Sequence, residues 1–151
     1  MPATTKKLVY ALEAVLDIAY NSGGAPVQSG QISKRQGIPP RYLEPVLQQL
    51  VREGVLTGVR GPRGGYKLAR ERRRITVGQI VRVVRSLETA EDPLAEEAGS
   101  TLGNAVVRPM LHRLQDEWMD KLDEITVDDL CAQAHQTGLP SEAVRRLDFS
   151  I

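Results

Sequence analysis

The sequence predicts a mainly α-helical fold with a small β-wing, and three observations carry that expectation. Apolar residues recur at three- and four-residue steps through most of residues 6–52 and again through 107–125, the period of one buried helix face. Between these stretches lies VRGPRGGYKL, Val59 to Leu68, where glycine and proline separate two short runs of strand-forming residues. Charge is the third: residues 1–85 hold 15 Lys+Arg against 5 Asp+Glu, a net +10, and the remainder 5 against 14, a net −9. The overall charge of +1 thus conceals a basic half, suited to a polyanion, joined to an acidic one.

The elements follow in order. Leu8, Ala11, Leu12, Val15, Leu16 and Ala19 mark a first helix that Asn21 to Gly24 stop. QSGQISKRQG, residues 28–37, reads as a short second helix anchored by Ile32, with Ser29 as N-cap and Gly37 as C-terminal glycine. In IPPRYLEPVLQQLVREG, residues 38–54, Leu43, Val46, Leu47, Leu50 and Val51 share one face, and Pro40 suits the first helical position. The other face carries Arg41, Tyr42, Glu44, Gln48, Gln49 and Arg52, and Pro45 is expected to bend or loosen the first turn. Strands are expected at Val55–Val59 and Tyr66–Ala69 around a tip at Gly61–Gly65. Helix, short helix, helix and hairpin in that order spell a winged helix-turn-helix. Thr76 and Gln79 form a capping box before Val77, Ile80, Val81, Val84 and Leu87, a further helix able to pack under the first.

Residues 89–103 contain Pro93, two glycines and several acids without apolar periodicity, and read as a linker or sensor loop. A long helix follows, with Val107, Leu111, Leu114, Trp118, Leu122 and Ile125 on one stripe. A protruding helix with that stripe needs a partner, so these six residues are the expected dimer interface. Thr126 and Asp129 open one more capped helix, ended by Gly138 and Pro140. The organisation is therefore a DNA-binding domain (1–88), the loop (89–103) and a dimerisation region (104–151), with no internal repeat or low-complexity tract.

Composition excludes several functions. Aromatic residues make up 4% of the chain, too few for a base-stacking surface. No apolar run approaches the roughly 18 residues of a membrane span, and no charged-then-apolar leader is seen, so a cytoplasmic protein without membrane attachment is expected. Cys131, the single cysteine, rules out an internal disulfide framework. No nucleophile elbow, phosphate loop or HExxH is present, and adjacent Asp128 and Asp129 are explained as first-turn charges of a helix. An enzyme is not expected.

A helix in the major groove would bring Arg41, Tyr42, Glu44 and Gln48 to base edges or phosphates of double-stranded DNA. Ser29, Lys34, Arg35, Arg63, Tyr66 and Lys67 would contact the backbone, and Arg60 the minor groove, with Gly64 and Gly65 allowing close approach. As a bare hairpin tip, GPRGG needs no function, but its place after a helix-turn-helix in a half-chain of +10 favours nucleic acid. A non-DNA-binding module docking a partner through the long helix is the alternative, and strongly salt-dependent duplex binding would argue against it.

The run RYLEPVLQQLVREGVLTGVRGPRGGYKLAR, residues 41–70, followed by ITVGQIVRVV, resembles the Rrf2 family of bacterial winged-helix transcription regulators, over about residues 6–130. The resemblance implies a homodimer, a repressor more than an activator, whose long helices pair and whose winged domains read a palindromic operator. By position it places Arg41, Tyr42, Glu44 and Gln48 on the reading helix and Arg60 in the minor groove, while Pro45 stands where a polar contact residue is frequent. Many members hold an iron-sulfur cluster through three cysteines in the loop that corresponds to residues 89–103. This loop has none, so the chain resembles cluster-free members and no cofactor is expected. The signal would be a small-molecule effector, a regulatory protein or thiol oxidation. Cys131 and His135, four apart on one helix face, and His112 on the preceding helix are the residues for a metal- or redox-sensing variant, but a lone cysteine is more often a small buried hydrophobe and no metal site is assigned.

Overall fold

The computed structural model describes residues 4–88, 92–97 and 99–143. Helices α1 (Lys6–Asn21), α2 (Ser29–Gln36) and α3 (Pro40–Arg52) precede a hairpin of β1 (Leu56–Val59) and β2 (Gly65–Leu68). A 3-10 turn (Arg72–Arg74), α4 (Val77–Leu87), a π turn (Gly103–Val107), α5 (Arg108–Glu124) and α6 (Val127–Gln136) complete the chain. The strands pair antiparallel with Leu56 opposite Leu68 and Val59 opposite Gly65. This is a mostly helical winged-helix architecture, as the periodicity predicts. The core lies where α1, α3 and α4 meet, with Ile18, Leu43, Leu47, Leu50, Ile75 and Ile80 fully buried.

Local corrections have physical causes. The N-cap of α2 is Gln28, not Ser29: its backbone N–H donates to Gln31 Oε1 at 3.0 Å across the first turn, which leaves Ser29 as the first helical residue. Gly37 ends α2 in the left-handed conformation, as expected. Pro45 does not break α3, which runs through it. Burial of Leu43, Val46, Leu47 and Leu50 on the opposite face holds the helix despite the hydrogen bond that proline cannot donate. β1 begins one residue later than expected and β2 lies one residue nearer the N-terminus, while Ala69 N donates to Val55 O at 2.9 Å and continues the same register past the two strands.

The linker gives way to helix sooner than its composition suggests, with helical backbone from Thr101 and a π turn before α5. Its positions 89–91 and 98 lie outside the described residues, as do 144–151. Nor does α5 stand free. Trp118, Met119 and Leu122 pack on the core of their own chain, and Asp123 receives a two-pronged bond from Arg82 of α4 at 2.7 and 2.7 Å. Gly78 permits this approach, since a Cβ there would overlap the Asp123 carboxylate.

Two segments that sequence reading did not connect, ITVGQI (75–80) and ITVDDL (125–130), clasp each other. Val77 N donates to Ile125 O and Val127 N to Ile75 O, both at 2.8 Å. Each then opens a helix with its threonine box, Thr76–Gln79 and Thr126–Asp129, as predicted. The clasp fixes the α5–α6 junction to the winged domain.

Candidate nucleic-acid interface

The apolar stripe of α3 is buried, so its opposite stripe faces outward: Arg41, Tyr42, Pro45, Gln48 and Arg52 are exposed, and Glu44 is half-buried. The Arg41 guanidinium lies 4.7 Å over the Tyr42 ring, which in turn stands 6.4 Å from the ring of Tyr10 on α1. This stack orients a cation at the start of the helix. Gln49 turns away from that face to bond Glu53 at 3.1 Å and Ser86 at 3.2 Å.

The wing is set by α2 as much as by its own turn. Val27, in the segment before α2, pairs in both directions with Tyr66 of β2, at 2.8 and 2.9 Å. The N-terminus of α2 therefore stands beside the hairpin, and a groove of about 550 Å³ runs between them, lined by Gln28, Ser29, Gly30, Gly58, Arg60 and Gly61, among others. The positive end of the α2 dipole and Arg60 share this groove, a combination suited to a phosphate group. Ser29, Gly64, Gly65 and Tyr66 also line it; Lys34 and Arg63 are exposed outside it, and Lys67 faces Thr57 across the hairpin. Burial, and then the nearby Glu44 carboxylate, push the Tyr66 phenol above its ordinary range, so it remains a neutral donor. Gln28 and Gly30 are groove residues that the sequence reading missed. Only the pairing of Val27 with Tyr66 brings them to the wing.

Three of the expected contact residues have a different employment. Arg35 is engaged in an ion pair of its own chain: its Nε and Nη2 donate to the buried carboxylate of Asp17 at 2.9 and 2.7 Å, joined by Gln36 at 2.8 Å. Gly64 is buried, and a Cβ there would overlap the Val59 carbonyl; at Gly65 it would overlap the Val27 carbonyl. Both glycines serve close approach within the chain.

Residues 4–133 match a family described as Rrf2, "Iron-dependent Transcriptional regulator". The chain belongs to the Rrf2 family. The HTH-type transcriptional regulator IscR of Pectobacterium atrosepticum is 35% identical over 126 residues, covering 83% of this chain and 77% of that one. Among solved structures, T. potens IscR aligns with a TM-score of 0.73 at 30% identity, covering 92% and 93% of the two chains. CymR, the global cysteine regulator of B. subtilis, aligns with a TM-score of 0.71 at 27% identity, covering 88% and 98%. These Rrf2 relatives are transcription regulators, and the present chain is a DNA-binding regulator of that kind.

Iron in the family description calls for a test of donor chemistry. Residues 89–103 contain neither cysteine nor histidine. Cys131 is 3% exposed on α6, whereas His112 on α5 and His135 on α6 are exposed. Burial pushes the Cys131 thiol up, against the opposing pull of the Arg72 guanidinium. Among the described residues no three His, Cys, Asp or Glu side chains are placed to hold a metal ion. An iron-sulfur cluster takes cysteine thiolates, four in the usual case, and this donor set does not fit one. Among the described residues, no helix is long and apolar enough to cross a membrane.

Proposed function

We propose that this Rrf2 chain acts in the cytoplasm as a homodimeric repressor of a palindromic operator, works without an iron-sulfur cluster, and answers to a small effector or a partner protein. One observation carries the DNA reading: the exposed face of α3, the N-terminus of α2 and Arg60 of the wing are held on one framework by the Val27–Tyr66 pairing. Arg41, Glu44, Gln48 and Arg60 supply sequence preference, and Lys34, Arg63 and Lys67 supply affinity through phosphates. Repression follows most simply, since a protein seated in these grooves excludes another from the same duplex.

Arg60→Ala is expected to weaken specific binding by about 1–3 kcal/mol, read by titrating a duplex selected from a randomised pool. Unchanged affinity would remove the wing from the interface.

The dimer reading rests on the exposed apolar face that runs from the π turn into the first turns of α5. Val106, Val107, Met110 and Leu114 are 57%, 42%, 40% and 47% exposed on adjoining turns, whereas Trp118 and Leu122 already pack on their own core. A second copy, bringing the same face, covers this patch. Leu114→Glu is therefore expected to give a folded monomer in sedimentation at micromolar concentration, while a persisting dimer would place the pairing surface elsewhere. Substituting Trp118 is a poorer test because it also disturbs the chain's own packing.

A further inference from the structure

A cleft of about 630 Å³ opens between the C-terminal end of α1 and α6. It shares no lining residue with the groove beside the wing, and its volume falls within the range of small-ligand sites, roughly 300–1,000 Å³. Tyr20, Arg72, Asp128, Cys131, His135 and Ser141 are among its walls. Nothing in the DNA reading uses them.

The charges in this cleft select a ligand class. Arg72 Nε lies 2.7 Å from Asp128 Oδ1, with the two side chains 50% and 46% exposed, so the pair faces solvent and exchanges partners at small cost. Asp128 stands in the first turn of α6, where the helix dipole also favours a carboxylate. A ligand of one charge would take one member of the pair and leave the other without its partner. A ligand bearing a carboxylate and an ammonium on neighbouring atoms replaces both partners at once. Buried Cys131 and Ala19 offer an apolar floor for a short side chain.

The cleft is also wired to the second helix of the DNA-reading unit. Ser141 Oγ donates to Tyr20 O at 2.6 Å, and Glu142 N donates to Asn21 Oδ1 at 3.0 Å, which pins residues 141–142 across the end of α1. Asn21 Nδ2 donates to Asp17 O at 3.0 Å, and the Asp17 carboxylate holds Arg35 and Gln36 of α2. Beyond the cleft edge at Gly23 and Gly24 the chain runs directly to Val27, the residue that pairs with the wing.

We propose that this cleft is the effector site, that it binds a small zwitterion of the α-amino acid class with its carboxylate on Arg72 and its ammonium on Asp128, and that occupancy reaches α2 and the wing through Asn21 and Asp17. The inference rests on the reading of the chain as a DNA-binding regulator. The test uses the full chain, the standard amino acids as free zwitterions, and their N-acetyl amides as uncharged controls, in calorimetric titration. At least one free amino acid is expected to bind and its N-acetyl amide not to. Arg72→Gln and Asp128→Asn are each expected to weaken that binding roughly tenfold or more while leaving affinity for the selected duplex, without amino acid, as in the unsubstituted chain. Saturating amino acid is expected to change duplex affinity roughly fivefold or more. No binding by any zwitterion, or undiminished binding in both variants, overturns the site; binding that leaves duplex affinity unchanged overturns the coupling. Failure of the unsubstituted chain to bind any duplex, with amino acid binding intact, would instead strike the DNA reading.

Discussion

Arg35→Ala is expected to lower the stability of the fold by about 3–5 kcal/mol, the cost of stranding a buried charge. The Asp17 side chain is fully buried, and Arg35 grips it with two donors. Without the guanidinium, the carboxylate keeps Gln36 at 2.8 Å, a neutral amide that cannot balance its charge. Urea denaturation gives the measurement, and a large fall in midpoint is the expected result. Were Arg35 a phosphate contact instead, the midpoint would stay and the salt dependence of duplex binding would lose about one unit of slope. Asp17→Leu combined with Arg35→Met should recover much of the loss, because an apolar pair of similar volume needs no charge compensation.

Gly65→Ala is expected to disable the wing more thoroughly than the loss of Arg60. The added Cβ would overlap the Val27 carbonyl, and the residue sits at φ 148°, where side chains are disfavoured. The colliding atom is backbone, so it cannot swing aside as a flexible side chain would. Relief requires Val27 and Tyr66 to separate, which undoes the bond that positions the hairpin beside α2. Local strain of about 1–3 kcal/mol is anticipated, with a fall in urea midpoint to match, since Val27 itself belongs to the buried core. Duplex affinity should fall at least as far as in Arg60→Ala. Binding equal to that of the unsubstituted chain would show that the Val27–Tyr66 pairing does not set the wing.

Both variants turn on the same difficulty of reading long-range pairing from a linear chain. Arg35 in SGQISKRQG looks like any cation on a polar helix, because nothing nearby shows that Asp17, a turn before the end of α1, is buried and aimed at it. In GPRGG the glycines advertise a tight turn but not what they turn against; for Gly64 it is the hairpin's own carbonyl, and for Gly65 the segment before α2. Trp118 and Leu122 fell on a helix stripe that ought to meet something, and periodicity could not say whether that was a second copy or the chain's own α4 and core.

By itself the sequence determined the helix periods, the threonine boxes at Thr76 and Thr126, the glycine end at Gly37, the wing as a hairpin and the sharp division of charge, all of which depend on residues a few positions apart. Tertiary structure alone decided that Arg35 is a structural ion-pair partner, that Gln28 and Gly30 border the wing, and that Arg72, Asp128 and Ser141 share a cleft. The physical reason is range: capping, helix phase and turn chemistry are satisfied within about one turn of chain, whereas burial and charge pairing are settled by whichever distant segment packs alongside.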